Sequence, residues 1–440
     1  MKLRILPLTL ALTAVLTGTA QAQSLVQLYE AAKGYDASFK AAQSQYQANL
    51  AKAEQAKALL RPTAGLGATA SETDFDNKVT AAGEGRFGTR TATLNASQPL
   101  FRPANLAGYR QGLKQVAVAQ AQLKAAEQDL IVRVSQAYFE VLTAQESLAF
   151  VKAQKSAVSE QLAAAKRNFE VGTSTITDTR EAQARFDLVT AQEIAADNDL
   201  RVKKLALDQS VGTKNAQPLA LKTGANLNPT ASGDVETWVQ QATEQSPGIE
   251  QARVGLEVAQ LETEKAKAGH LPTLDLIASY GGTRYRNGGV PSASRIENNT
   301  GTLSLSFNLP LYAGYATQNR IQETVALEEK ARNDLEAAQR TVAQATRTAF
   351  FGVQSGLGQV KALEAAEASS QSALDANKLG YQVGVRINID VLNSQSQLFQ
   401  TKRDLAKARY DVLLGQLKLR QASGVLKEED VQRLNGLFGQ

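Results

Sequence analysis

The sequence predicts a mainly α-helical fold with a smaller β component: long antiparallel coiled-coil helices, four strands per chain and an internal two-fold repeat. Residues 104–217 and 311–440 contain no proline and are rich in good helix formers, which favours long helices. Segments next to these tracts alternate apolar and polar residues, as strands do. Short motifs also recur, and Asp390 follows its counterpart Asp178 by 212 residues.

Residues 1–22 have the pattern of a secretory signal peptide, so the protein is expected to be exported. The basic start MKLR precedes the apolar stretch ILPLTLALTAVL, and Ala20-Gln21-Ala22 is a small-x-small cleavage site. A short membrane anchor is disfavoured because the apolar run is too short to span. The chain has no cysteine, so neither a disulfide nor a lipidated cysteine is expected. Its charges alternate in sign, which argues against nucleic acid as a partner.

The repeat extends over most of the chain. FEVGTSTITD (169–178) matches YQVGVRINID (381–390), and QPLF (98–101) matches LPLY (309–312). A period this long indicates two large similar halves rather than a solenoid of short units.

The first proline-free tract also has the period of a coiled coil. One row of apolar residues recurs every seven positions: Val116, Leu123, Leu130, Ala137, Ala144, Val151, Val158 and Ala165. Most of the complementary row is also apolar, namely Leu113, Val134, Val141, Leu148, Leu162 and Phe169, and it is interrupted by Gln120, Glu127 and Lys155. This spacing indicates coiled-coil packing, and a helix over 104–169 would be about 100 Å long.

The two matching decapeptides are predicted to be helix-to-helix turns. Gly172 and Gly384 permit the backbone to reverse. Asp178 is expected to cap the helix that follows the first turn, with Glu181 as its reciprocal partner.

The strand segments form one predicted hairpin in each half. The clearest alternation is TLSLSFNLP (302–310), and the prolines at 62, 99, 272 and 310 lie where strands give way to helices. The hairpin connections, 72–88 and 286–301, are polar and Gly-rich. Alternation alone fits both a barrel strand in lipid and a soluble, half-buried strand.

Strand number favours the barrel only if copies assemble. After residue 22 no apolar run reaches the roughly 18 residues of a spanning helix, and closed β-barrels are the other structures that satisfy their backbone in lipid. Transmembrane barrels start at about eight strands. Four strands per chain are too few, whereas three copies supply twelve.

The sequence resembles the TolC family of outer-membrane exit ducts over nearly all of the chain after residue 22. The resemblance is strongest in the Val-Gly-x5-Asp turns, in QPLF and LPLY, and in ANKLGYQVGVRINIDVLNSQSQLFQTKRDLAKARYDVL (376–413). It implies a homotrimer whose 12-stranded β-barrel in the outer-membrane lipid continues into an α-barrel across the periplasm of a Gram-negative bacterium. The implied partners are a periplasmic adaptor (membrane fusion) protein and an inner-membrane ABC, RND or MFS transporter, and the implied cargo is drugs or secreted polypeptides, as in type I secretion.

The resemblance also implies a division of the chain. The expected segments are 1–22, signal peptide; 23–62, N-terminal helical segment; 63–99, first β-hairpin; 100–217, first helical hairpin of the tunnel; 218–271, equatorial linker and helix; 272–310, second β-hairpin; 311–424, second helical hairpin; and 425–440, C-terminal equatorial segment.

The family's functional residues map onto the two turns, at the periplasmic tip of the tunnel. The residues that match the links of the closed gate are Gln161, Thr177, Asp178, Tyr381 and Arg386. Asp390 matches one ring of entrance aspartates, whereas Asn393 stands where the family has the second. Three copies of one carboxylate are expected to favour cations, more weakly than a double ring.

No enzyme chemistry is expected, and no cofactor or metal. His270 is the single histidine and there is no cysteine; a lone histidine is no metal site, and nothing in the sequence supports a Ser/His/Asp arrangement. The competing interpretation is an exported periplasmic coiled-coil scaffold or adaptor without a pore, which would share the long heptad helices but not the two amphipathic hairpins.

Overall fold

The computed structural model describes residues 23–75, 85–222, 224–225, 234–286 and 296–439. The predicted signal peptide and the centres of both hairpin connections lie outside these ranges. The α-helices are α1 (Leu25–Tyr35), α2 (Ala37–Ala58), α3 (Pro103–Glu170), α4 (Ile176–Val211), α5 (Val235–Gln245), α6 (Pro247–Lys267), α7 (Ala316–Gln382), α8 (Asn388–Ala422) and α9 (Glu428–Asn435). The strands are β1 (Thr63–Phe75), β2 (Gly85–Phe101), β3 (Thr273–Arg286) and β4 (Ile296–Asn308).

The prediction of a mainly helical chain with a small antiparallel sheet is confirmed. Helix α3 has 68 residues and α7 has 67, so each is about 100 Å long at 1.5 Å per residue. Pro103 occupies the first helical position of α3, where its missing N–H costs no hydrogen bond.

The four strands form one antiparallel sheet in the order β1-β2-β3-β4. Residues directly opposite one another share a face, so the register defines two different surfaces. One surface carries the apolar row Leu66, Leu94 and Tyr280, and the other carries the hydroxyl row Thr69, Thr91 and Thr283. Leu303, Leu305 and Phe307 of β4 lie on the same surface as Tyr280, so the sheet is amphipathic across all four strands.

Two details of the strands differ from the sequence prediction. The strands continue into the segments assigned to the hairpin connections, with β1 reaching Phe75 and β4 beginning at Ile296. Pro99 lies inside β2 rather than at its end, and the pairing register shifts between Pro99 and Phe101. The shift follows from the missing N–H, because proline cannot donate to the ladder.

The chain divides into two compact units. The first comprises the described residues among Met1–Lys40, Ala126–Ser246 and Val342–Gln440, and the second comprises those among Ala41–Ala125 and Pro247–Thr341. In the first unit, the heptad residues Val151, Val158 and Ala165 are buried, as the sequence period predicts. Phe169, in the complementary row, remains 43% exposed.

The second unit contains the sheet and a set of ion pairs beside it. Arg102 donates from Nε and Nη2 to the two carboxylate oxygens of Asp275, at 2.8 and 2.5 Å. This paired hydrogen bond joins the residue before α3 to strand β3. Leu113 of α3 is 47% exposed, so the heptad row of the sequence is not a continuous core within one copy.

Candidate functional site at the two helix-to-helix turns

The two matching turns have the same backbone geometry. Gly172 and Gly384 both have φ +78°, a region that L side chains rarely adopt. After α3, the N–H of Thr173 donates to the carbonyl of Asn168 at 2.8 Å; after α7, the N–H of Val385 donates to Gly380 at 2.8 Å. In each turn the glycine N–H also donates to the carbonyl of the residue three positions earlier. Both turns are therefore Schellman motifs that end a long helix.

The cap of α4 differs from the sequence prediction. Thr175, not Asp178, is the N-cap, and Asp178 is its reciprocal partner at the third helical position. The Asp178 carboxylate accepts from the hydroxyls of Ser174 and Thr175 at 2.7 and 2.9 Å, and from the Thr175 N–H at 3.0 Å. Glu181 is not part of this capping box. Several hydroxyl residues precede α4, and the one three positions before Asp178 forms the box.

These hydrogen bonds change the acidity of Asp178. The bond from the Ser174 hydroxyl lowers the pKa of Asp178, partial burial opposes it, and the bonds from Thr175 add to the lowering. Each donor stabilises the ionised carboxylate. The turn is thus built around a charged aspartate.

The second turn places Arg386 and Asp390 on the same side of the start of α8. Arg386 Nη1 lies 3.7 Å from Asp390 Oδ2, the i,i+4 spacing of neighbours on a helix face. The Arg386 stem lies against Gly380, where a Cβ would be 2.7 Å from Arg386 Cγ. Arg386 is more than half exposed, so this pair is solvated and weak within one copy.

Near the two turns, three side-chain hydrogen bonds between described residues join the first helical hairpin to the second. Gln161 donates to the Asn388 side-chain oxygen. The amide of Asn168 donates to the Tyr381 hydroxyl at 3.2 Å, and Arg185 donates to the Asn393 side-chain oxygen at 2.7 Å. Buried Leu392 of α8 packs in the cluster that α3 and α4 form beneath these bonds. The two turns therefore lie side by side.

The predicted site residues have different surroundings. Gln161, Tyr381 and Asn393 take part in the bonds between hairpins, and Arg386 and Asp390 pair with each other. Thr177 is exposed. The partners Asn168, Asn388 and Arg185 were not predicted, because residues more than 200 positions apart carry no local signal of their contact.

Apolar side chains are exposed at the ends of both hairpins. Val171 and Ile176 flank the first turn, and Val383, Val385 and Ile387 flank the second; they are 49 to 79% exposed. Isolated exposed valines are ordinary, but a group of five at one end of a helical pair is typical of a binding surface.

Within the described ranges, no three histidine or acidic residues are grouped so that they could hold a metal ion. The same part of the chain contains no helix with the length and apolar character needed to cross a membrane.

Comparison with known proteins identifies the family. Residues 28–213 and 238–425 both match the outer membrane efflux protein family. The outer membrane protein TolC of Vibrio cholerae is 33% identical over 438 residues, which is 98% of each chain. The proteases secretion protein PrtF of Dickeya chrysanthemi is 30% identical over 97% of this chain and 94% of its own.

Solved structures show the same fold. The outer membrane protein VceC of Vibrio cholerae superposes with a TM-score of 0.78 at 21% identity, covering 91% of this chain and 96% of that one. The matching family and its members are outer-membrane channels rather than enzymes. The chain therefore belongs to the outer membrane efflux protein family and is a non-enzymatic transport protein of the Gram-negative outer membrane.

Proposed function

We propose that three copies of this chain form an outer-membrane exit duct that carries drugs or secreted polypeptides away from an inner-membrane pump. The duct is a 12-stranded β-barrel in lipid followed by a tunnel of long helices in the periplasm. An ABC, RND or MFS transporter supplies the cargo through a periplasmic adaptor protein. Helices at the periplasmic tip untwist to open it.

The sheet carries this proposal. Its apolar row is exposed: Leu66 is 79% exposed, Leu94 52% and Tyr280 63%. In the described order, β1 and β4 each pair along only one edge. Unpaired edges are prohibitive in lipid, so strands of neighbouring copies complete the ladder. The apolar surface then faces lipid and the hydroxyl surface faces the aqueous interior.

Duplication explains how one chain supplies matching parts. The family matches the chain twice, and the two turn glycines have the same φ and the same hydrogen bonds. Each half contributes one hairpin to the barrel (63–99 and 272–310) and one helical hairpin to the tunnel (100–217 and 311–424). Residues 23–62, 218–271 and 425–440 complete the periplasmic part, and 1–22 is the signal peptide.

The gate is held by links within and between copies. Gln161 and Tyr381 form the links within a copy, through Asn388 and Asn168. The hydrogen bonds that the Asp178 carboxylate accepts from Ser174 and Thr175 all reach Oδ2, and Oδ1 accepts from Arg386 of a neighbouring copy, beside Thr177. Charge-assisted bonds of this kind are stronger than neutral ones but few enough for an adaptor to break.

The exposed valines and isoleucines at the turns fit the adaptor. They lie on both hairpins of the tip, so three copies present a ring of apolar side chains towards the inner membrane. A partner that binds this ring can pull on the ends of the helices and thereby act on the links beside them.

Outer-membrane extraction and planar-bilayer recording test the duct directly. The expected result is a heat-modifiable trimer in the outer-membrane fraction that forms ion channels after purification. A soluble species without channels would refute the duct and favour the coiled-coil scaffold.

The gate has its own test. Arg386→Ser should raise single-channel conductance, because the link to the neighbouring carboxylate is lost. Arg201→Ser is the matched control, since Arg201 of α4 is 75% exposed and pairs with Asp197 of its own helix, at 2.7 Å. Unchanged conductance in Arg386→Ser would remove this residue from the gate.

A further inference from the structure

One face of α8 near the second turn is polar and uncovered within a copy. Asp390, Asn393, Gln397, Gln400 and Asp404 recur at the three- and four-residue spacing of a single helical stripe. The stripe is exposed or half-exposed. The intervening residues Val391, Leu392, Gln395 and Leu398 are buried against the other helices. Asp390 and Asn393 therefore point into the same space, away from the packed core.

Arg185 of α4 brings a positive charge to this stripe. Its Nη2 donates to Asn393 Oδ1 at 2.7 Å, so the guanidinium lies against the side chain at position 393. In the part of the chain that the structure describes, Arg185 forms no ion pair. Glu181 is one helical turn away and Asp187 accepts from Gln183 at 3.0 Å, and neither is within ion-pair distance of Arg185.

The negative charge of the stripe at this end is also balanced. Asp390 has the Arg386 guanidinium at 3.7 Å. Together with the Asp178 carboxylate that the proposed gate brings to Arg386, each copy thus contributes two carboxylates and two guanidinium groups around positions 390 and 393. Charges closer than about 8 Å are only partly screened at physiological salt, so these groups act on an ion that passes within that distance of the stripe.

We infer that Arg185 determines the charge selectivity of the duct entrance, and that with Asn393 it makes an entrance which does not prefer cations and admits anionic solutes. This inference rests on the proposed function and on the expectation from the family resemblance that Asp390 and Asn393 lie at the entrance. It also differs from the expectation drawn from Asp390 alone, which was a weak cation preference. The cargo class that it favours is anionic or neutral.

The test is the ratio of potassium to chloride permeability, from reversal potentials of purified trimers in a KCl gradient. The wild-type ratio should be near one, and Arg185→Gln should raise it by about twofold or more, because charged side chains that line a pore set its selectivity. Arg185→Lys should keep the wild-type ratio, since it retains the charge. Arg201→Gln, which removes a charge from the same helix beside Asp197, should leave the ratio unchanged.

A double-variant comparison keeps the inference testable if one variant assembles poorly. Asn393→Asp should raise the cation preference less in the wild type than in Arg185→Gln, because Arg185 pairs with the new carboxylate. Equal effects in the two backgrounds, or a ratio that Arg185→Gln does not change, would overturn the inference. Arg185→Lys behaving like Arg185→Gln would also overturn it, since geometry rather than charge would then matter. Wild-type protein that forms no channels would instead refute the proposed function.

Discussion

Replacing Gly384 by alanine should loosen the second turn through its backbone alone. Gly384 has φ +78°, and apart from the flanking residues no described atom of the same copy lies within 4 Å of the position that a Cβ would take. A steric clash with neighbouring residues therefore cannot contribute. The left-handed conformation costs a non-glycine residue about 1–2 kcal/mol, and nothing in the surroundings offsets that cost.

The assay is hydrogen exchange of the turn in the purified trimer. The Val385 N–H, bonded to the Gly380 carbonyl at 2.8 Å, reports local opening. A loss of 1–2 kcal/mol corresponds to exchange about 5–30 times faster, once intrinsic rates are corrected.

Gly352→Ala is the matched control. Gly352 also has no atom within 4 Å of its Cβ position, but it lies inside α7, where alanine is favoured. Unchanged exchange at Val385 in Gly384→Ala, or the same acceleration in Gly352→Ala, would refute the assignment of strain to the turn.

Three further changes have defined outcomes. Gly352→Ala and Gly358→Ala should each raise the free energy of unfolding by about 0.5–1 kcal/mol. Gly356→Ala should lower it, because the new Cβ would be 2.9 Å from Val412 Cγ2. The capping box of α4 should weaken in acid, because hydrogen bonds lower the pKa of Asp178 in the folded protein. The contribution of the ionised carboxylate to stability is present above the usual aspartate pKa of about 3.9 and is lost as the pH falls through the lower folded value. Amide exchange at the start of α4 should show this loss in the wild type and not in Asp178→Asn. Arg102→Ala and Asp275→Ala should each lower the melting temperature, and the two losses should not add in the double variant, since both remove the same paired hydrogen bond. Additive losses would show that the two residues act separately.

Sequence periodicity predicted the helices and strands well because each depends on local order. The heptad row placed Val151 and Val158 in the core, and the alternation of residues 302–310 placed Leu303 and Leu305 on one face of β4. The periodicity did not predict which elements cover each apolar row. Leu113 and Phe169 continue the heptad row, yet remain about half exposed in a single copy.

The candidate site was predicted less completely for a related reason. The family resemblance identified positions such as Asp178 and Tyr381, but not the residues of the same copy that they contact. The sequence predicted Asp178 as the N-cap rather than as the reciprocal partner, because Thr175-x-x-Asp178 and Asp178-x-x-Glu181 both fit the capping-box pattern. The contacts of Arg185, Asn168 and Asn388 depend on the rotation of α8 against α3 and α4, which a single sequence does not encode locally.

The comparison of the two halves adds a physical detail. Glu140, Ala144 and Glu146 of α3 correspond, 212 residues later, to Gly352, Gly356 and Gly358 of α7. Only Gly356 is explained by a close neighbour, Val412. The second long helix is therefore intrinsically less stable in this stretch than the first.

Completion of the sheet by neighbouring copies can be measured by cross-linking, because the chain has no cysteine of its own. Thr69→Cys in β1 would be combined in turn with Thr302→Cys, Ser304→Cys or Ser306→Cys in β4, so that one register brings the two Cβ atoms within about 4 Å.

Thr91→Cys with Thr283→Cys is the intrachain control, since these residues pair directly and their hydroxyls are 3.4 Å apart. After oxidation in the outer membrane, the β1–β4 pairs should give covalent dimers and trimers on a non-reducing gel, while the control stays monomeric. Monomers alone from all three β1–β4 pairs, beside an efficiently oxidised control, would contradict a barrel shared between copies.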